Sequence, residues 1–297
     1  MELRVIQYFL AVAREENITR AAESLHITQP TLSRQLHQLE AELGVTLFER
    51  SNHRVFLTED GMLFRRRAQE IVDLVQKTRE EFFNAEGKLA GTITIGAGET
   101  YNMEILASWM HDFRLQHPLV NFKVQSNTAD IIKENIEKGI VDIGLLMEPV
   151  DTSRYEVLRM PQKEAWGVVV TADDELATKK EIVPQDLAGC SVIVPAREEV
   201  QMNLKKWFST IYDDDDIDVT ATYNLNFNAI LMVKQHVGVL ITLDFRLLDD
   251  NLRFIPLKDM QLVESVIVWK KQCLLSPLVQ CFIKWCRMQN LASSAGR

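Results

Sequence analysis

The chain has 297 residues and a mass of 34.1 kDa, more than one compact core ordinarily organises, so two or three folding units are expected. With 46% hydrophobic and 25% charged residues, 12 Gly, 8 Pro and a mean hydropathy of −0.08, it is not collagen-like, low-complexity or disordered. The net charge of −9 argues against coating of nucleic acid by the whole molecule, yet residues 1–67 carry nine basic and nine acidic side chains, so all the excess acid lies behind them.

No apolar run is long enough to span a bilayer, and Arg14, Glu15 and Glu16 arrive before any stretch suited to a signal peptide. The expected location is the cytoplasm, without membrane contact. Cys190, Cys273, Cys281 and Cys286 form no Cys-x-x-Cys pair and the six histidines are scattered, so neither a metal nor a cofactor is expected.

Leu3, Ile6, Phe9, Leu10 and Ala13 recur at steps of three and four, which predicts a first amphipathic helix. Ile18 to Leu25 predicts a short second one, whose Ala21-Ala22 pair permits close crossing. His26-Ile27-Thr28 breaks the pattern. With Thr28 as N-cap, Pro30 in the first turn and Gly44 just past the end, a third helix is predicted from about Gln29 to Glu42.

At 100° per residue, Leu32, Leu36 and Leu39 of that third helix form one narrow apolar stripe. Pro30, Ser33, Arg34 and His37 fall on the opposite face, and Gln29 projects from the N-terminal end. Arginine pairs with guanine edges, glutamine with adenine edges, and both reach phosphate. Short helix, tight turn and such a helix describe a helix-turn-helix, although an ordinary surface helix shows a similar polar face. Next, Val45-Thr46-Leu47-Phe48 and Arg54-Val55-Phe56-Leu57 predict two short strands. They would form a wing placing Arg50, His53 and Arg54 near the DNA backbone or minor groove.

The run Asn17-Ile18-Thr19-Arg20-Ala21-Ala22-Glu23-Ser24-Leu25-His26-Ile27-Thr28-Gln29-Pro30-Thr31-Leu32-Ser33-Arg34-Gln35-Leu36 continues through Leu39-Glu40, Leu43-Gly44 and Leu47-Phe48-Glu49-Arg50. It resembles the winged helix-turn-helix of LysR-type transcriptional regulators over some sixty residues without a gap. The resemblance implies that the third helix enters the major groove, with Gln29, Pro30, Thr31, Ser33 and Arg34 as contacts and Arg54 on the wing. His37 stands at a variable position, and the wing tip Ser51-Asn52-His53 carries no Arg or Lys, leaving backbone anchoring to Arg50 and Arg54. The implied partners are a double-stranded DNA operator with inverted half-sites, a small-molecule effector and a second copy of the chain, as homodimer or homotetramer.

From Thr58, followed by Glu59 and Asp60, one long helix is predicted to about Glu86. Phe64, Ala68, Ile71, Val75, Thr78 and Phe82 alternate steps of four and three, an a/d seam for a partner helix or for packing within the chain. Arg65-Arg66-Arg67 reads as a solvated face that could also meet phosphate. A glycine-punctuated hinge follows at 86–91.

Beyond it strands alternate with helices, which predicts parallel sheets. Strands are expected at 92–95, 121–125, 142–147, within 157–170, and at 191–194, 219–223, 239–243 and 263–269, with a last helix from Ser276. The architecture is α+β and multidomain. Residues 1–58 are expected to make a winged helix-turn-helix, 59–87 a linker and dimerisation helix, and 88–297 an effector domain. The resemblance implies that this last part has two subdomains, like periplasmic solute-binding proteins, with crossovers near 161–166 and 263–269.

Gly96-Ala97-Gly98 follows a strand like a dinucleotide fingerprint, but Tyr101 occupies the third glycine position. A tight turn facing a ligand cleft is the better reading. Enzyme motifs are absent, and the acidic run Asp213 to Asp216 lacks EF-hand spacing. The expected function is a non-enzymatic transcriptional regulator that senses a small carboxylate or zwitterion. The alternatives are a cytoplasmic enzyme using the Gly96–Gly98 turn for a nucleotide or small molecule, and a solute-binding protein, which the N-terminal module disfavours. Helices starting near Thr100 and Thr128 should aim their N-termini and hydroxyls into the cleft, beside Gly98. The family resemblance adds the turn after 191–194, with Pro195 and Arg197. Glu99 either turns outward or binds a ligand amine.

Overall fold

The computed structural model describes residues 1–51, 54–83, 89–209, 217–244, 246 and 250–295, with the backbone alone at 50, 51, 54, 77, 80–83 and 293–295. The wing-tip residues Asn52 and His53, the start of the hinge at 86–88 and the acidic run 213–216 lie outside the described residues. Two units separate, Met1–Ala85 and Glu86–Arg297.

In the first unit, α1 (Leu3–Glu15) buries Val5, Ile6, Phe9 and Val12, and Glu16 closes it in the left-handed conformation. Asn17 caps α2 (Ile18–Ser24) by accepting the Arg20 N–H at 3.0 Å, and Ala21 and Ala22 are buried where the helices cross. The third helix, α3 (Gln29–Leu43), buries the stripe Leu32, Leu36, Leu39 and ends at Gly44 with φ 72°. Thr28 caps only by backbone position; its hydroxyl lies 2.8 Å from that of Thr31.

The wing strands are β1 (Phe48–Ser51) and β2 (Arg54–Leu57), antiparallel with Phe48 opposite Leu57. The first strand therefore starts at Phe48, not at Val45. Backbone groups just before it are already taken: Thr46 and Leu47 carbonyls accept from the Thr58 hydroxyl and N–H, and the Leu47 and Phe48 N–H groups donate to the Glu40 carboxylate. Thr58 also caps α4 (Glu59–Phe83), accepting the Gly61 N–H at 2.9 Å. A Cβ at Gly61 would overlap the Leu47 carbonyl oxygen, so glycine is what lets this helix lie against the turn.

The apolar seam of α4 divides. Phe64, Ala68 and Ile71 pack into the core of their own unit, Phe64 edge-on to Phe9. The first half of the seam therefore takes the within-chain alternative, with its partner in its own unit. Of the rest, Val75 is half-buried, the Thr78 hydroxyl bonds to the Leu74 carbonyl, and Phe82 is described by its backbone alone. Met62, Leu63 and Leu74 remain exposed on this helix.

The second unit holds two lobes. Lobe 1 contains β3 (Gly91–Ala97), α5 (Asn102–Gln116), β4 (Val120–Ser126), α6 (Ala129–Glu137), β5 (Ile143–Met147) and β6 (Tyr155–Glu164). Lobe 2 contains β7 (Trp166–Thr171), β8 (Ser191–Pro195), α7 (Glu198–Phe208), β9 (Asp218–Tyr223), α8 (Asn226–Lys234), β10 (Val239–Leu243) and β11 (Leu252–Pro256). The chain returns to lobe 1 through β12 (Val263–Lys270) and ends in α9 (Pro277–Ala295). Sheet orders are β4-β3-β5-β12-β6 and β11-β7-β10-β8-β9.

Both sheets are mixed rather than parallel. Pairs β3–β4, β3–β5, β8–β9 and β8–β10 are parallel, whereas β12–β5, β12–β6, β7–β10 and β7–β11 are antiparallel. Antiparallel pairing enters with the strands that follow each passage between lobes. Pro161 lies in the edge strand β6, beside an irregular register with β12, where a missing N–H is tolerated. The sequence reading missed β11, a five-residue edge strand carrying Arg253 and closed by Pro256.

Candidate functional site

Gln29, Pro30, Thr31, Arg34 and His37 are exposed on α3, and Ser33 is half-buried. Roughly the first two and a half turns of α3 thus carry all of these groups. Arg34 has no ion pair among the described residues. His37 differs: its Nδ1 lies 3.3 Å from Glu40 Oε2, and Glu40 also anchors the entry to β1. Arg50 and Arg54 sit in the two wing strands, opposite Val55 and Ser51, with their side chains outside the described atoms. Arg67 forms an i,i+3 pair with Glu70 at 2.9 Å, which suits a solvated face.

In the second unit a cavity of about 280 Å³ opens between the lobes. Gly98, Glu99 and Thr128 line it from lobe 1, Pro195 and Arg197 from lobe 2. Thr128 precedes α6 without making a side-chain cap, and Thr128, Ala129 and Asp130 at the start of that helix line the cavity. Arg197 reaches from lobe 2 to the Met147 carbonyl of lobe 1, a long 3.5 Å contact, and lies 3.1 Å from Glu199.

Glu99 turns inward. Its Oε2 accepts the N–H of Asn226, the first residue of α8 in the other lobe. The Asn226 side chain is held in turn by the Thr242 hydroxyl at 2.9 Å. A carboxylate at a helix N-terminus is electrostatically favoured, so Glu99 ties the two lobes across the cleft.

Thr100 is not brought into this cavity, which corrects the expectation from its place before α5. Its hydroxyl donates to Glu164 Oε1 at 2.5 Å and lies 3.1 Å from Ser265 Oγ, all three residues being buried. Glu164 ends β6 at one passage between lobes, and Ser265 stands in β12 just after the other. Glu164 is 4% exposed, and its Oε2 has no partner among the described residues. Burial pushes its pKa up, against hydrogen bonds from Thr100, Asn102 and Tyr101, and Asp244 adds to the rise.

A raised native pKa means that the folded chain holds this proton more tightly than the unfolded one. Stability from Glu164 is therefore complete below the ordinary glutamate range and falls as pH climbs through the raised native value. Glu164→Gln keeps an acceptor for Thr100 and is expected to flatten that fall. Thermal unfolding followed by tryptophan fluorescence across this pH window checks it; an unchanged slope would count against the assignment. All five tryptophans lie in the second unit, so the signal reports on it alone.

The glycine turn is not built for a nucleotide. Gly98 donates its N–H to the Leu145 carbonyl at 2.9 Å, and Gly96 abuts Ile132 of α6, where a Cβ would not fit. The sequence reading missed Trp166, Tyr223, Asn226 and Thr242 at the cleft and Glu164 and Ser265 beneath it. Tyr223 and Thr242 stand near the ends of strands, and Glu164, Trp166 and Ser265 fall within the two expected crossovers; Asn226 had no such mark.

These features agree with known proteins. Residues 3–62 match the model for the bacterial regulatory helix-turn-helix protein of the lysR family, and residues 86–290 match the LysR substrate binding domain. The chain belongs to the LysR family of bacterial helix-turn-helix regulators, whose members are transcriptional regulators and not enzymes. It is 34% identical over 195 residues to the Hca operon transcriptional activator HcaR of Escherichia coli (strain K12), covering 65% of this chain and 64% of that protein. With a probable RuBisCO transcriptional regulator of Phaeodactylum tricornutum (strain CCAP 1055/1) it shares 28% over 241 residues, 80% of this chain and 76% of the relative. Among solved structures, CbnR, a LysR family transcriptional regulator, superposes with a TM-score of 0.77 at 20% identity, covering 98% of this chain and 99% of that one. The full-length CbnR complex with its target DNA gives 0.75 at 21%, covering 97% and 99%. No helix among the described residues is long and apolar enough to cross a membrane.

Proposed function

We propose that this chain is a cytoplasmic, homo-oligomeric regulator that reads an inverted-repeat operator and changes transcription in response to a small carboxylate-bearing metabolite or zwitterion. Residues 1–58 would bind DNA through α3 and the wing, 59–87 would link and pair the protomers, and 88–297 would hold the effector. The observation that carries the reading is one chain holding both the exposed α3 face with Arg34 and a two-lobed cleft with Arg197. CbnR, of similar fold, has been seen with its target DNA, and HcaR is named an activator of an operon. For this chain the corresponding groups on α3 are Gln29, Pro30, Thr31, Ser33 and Arg34, with Arg50 and Arg54 on the wing.

Two recognition helices related by a twofold would read half-sites about one helical turn, roughly 34–36 Å, or a multiple apart. The expected result is a mobility shift with the upstream intergenic DNA, by a species that sediments as a dimer or tetramer. A stable monomer binding with full affinity would overturn the oligomeric part. Failure to shift any upstream fragment, with binding in a parallel nucleotide assay, would overturn the whole.

A further inference from the structure

We propose that the cleft takes a zwitterion, a compact α-amino acid whose ammonium pairs with Glu99 and whose carboxylate meets Arg197 and the uncapped start of α6. This rests on the cleft reading above and narrows its ligand class. The first argument is the charge of the wall. Among the cavity-lining residues Glu99, Asp130 and Glu148 are carboxylates, and Arg197 is the one guanidinium. Asp130 is paired with Lys133 at 3.1 Å, and Glu148 has Arg159 at 3.8 Å. Among the described residues Glu99 has only a neutral partner, the Asn226 N–H, on one of its two oxygens. A simple anion entering here would face a carboxylate that has no counter-ion among the described residues.

The second argument is polarity across the gap. Glu99 projects from lobe 1 to α8 of lobe 2, and Arg197 projects from lobe 2 to the Met147 carbonyl of lobe 1. Among the described residues the Arg197 Nε atom is buried without a hydrogen-bond partner, although the Glu199 carboxylate lies 3.1 Å from it. The lobe 1 wall of the cleft therefore offers an under-used acceptor and the lobe 2 wall an under-used donor. A ligand with both charges satisfies both and is held by both lobes at once. The third argument is size. About 280 Å³ lies just below the usual range of ligand pockets, roughly 300 to 1,000 Å³, so a ligand carrying both charges must be compact.

The test titrates the full chain with the standard amino acids, following thermal unfolding by tryptophan fluorescence. Matched compounds lack the amine (propionate, isocaproate, hydrocinnamate) or the carboxylate (ethylamine, isoamylamine, phenethylamine). At least one amino acid should raise the unfolding temperature saturably, with its single-charge counterparts needing about tenfold higher concentration or more. Glu99→Gln keeps the acceptor for Asn226 and should weaken the amino acid by about tenfold, while leaving or slightly improving the simple carboxylate. No shift with any amino acid, or a carboxylate binding as tightly as its amino acid, overturns the proposal. Binding that falls with Arg197→Ala but not with Glu99→Gln overturns the zwitterion and leaves a carboxylate sensor. Binding untouched by Glu99→Gln, Arg197→Ala and Thr128→Val alike places the ligand elsewhere and overturns the cleft reading too.

Discussion

Phe9→Ala is expected to abolish operator binding while leaving the ligand-binding unit folded. Phe9 is fully buried in α1, 5.0 Å from the Phe48 ring of the wing and 4.7 Å, edge-on, from Phe64 of α4. One side chain thus joins α1, the wing and α4. Truncating such a phenylalanine costs about 3–5 kcal/mol, from lost burial and the cavity left behind. A small unit has only about 5–15 kcal/mol in total, so the loss takes a large share of it. The recognition helix would then have no fixed support. Because every tryptophan lies beyond residue 100, fluorescence-detected unfolding of the second unit should not move. Far-UV circular dichroism should show an early transition for the first unit. Phe9→Leu, which refills most of the volume, should restore most of the affinity. A Phe9→Ala chain with unchanged melting and unchanged DNA affinity would refute the packing account.

Arg34→Ala is expected to reduce operator affinity by about 1–3 kcal/mol, roughly 5- to 150-fold in Kd, without changing the fold. The guanidinium is exposed on the face opposite Leu32, Leu36 and Leu39, so its removal leaves no hole. If it reads a base edge, the loss should concentrate at one operator position. If it holds phosphate, affinity should fall evenly over sequences and the salt slope should flatten by about one. His37→Ala should act differently, since His37 leans on Glu40, and Glu40 holds the N–H groups at the start of β1. Its effect should be smaller and insensitive to operator sequence. An Arg34→Ala chain binding operator as tightly as the parent would mean that another element enters the groove.

The amino-acid order by itself determined the parts whose reasons are local. The steps of three and four through Leu3, Ile6 and Phe9 and through Leu32, Leu36 and Leu39 record one buried helix face, and Gly44 marks the end of α3 by its left-handed turn. Most strands of the second unit were legible for the same reason, as short β-branched runs between turns. Tertiary structure alone decided how those parts were used. Val45-Thr46-Leu47 has the composition of a strand, yet its backbone is engaged by Glu40 and Thr58, so the ladder begins later. The seam of α4 has coiled-coil spacing, yet α1 and its neighbours occupy its first half. Thr100 and Glu99 are adjacent, and the fold sends them to different places. The Thr100 hydroxyl finds Glu164 and Ser265, 64 and 165 residues away, and the Glu99 carboxylate finds α8, 127 residues away. Periodicity records which face of an element is buried; it carries no information about which distant hydroxyl, carboxylate or helix end will meet it, because that pairing exists only once the lobes have packed.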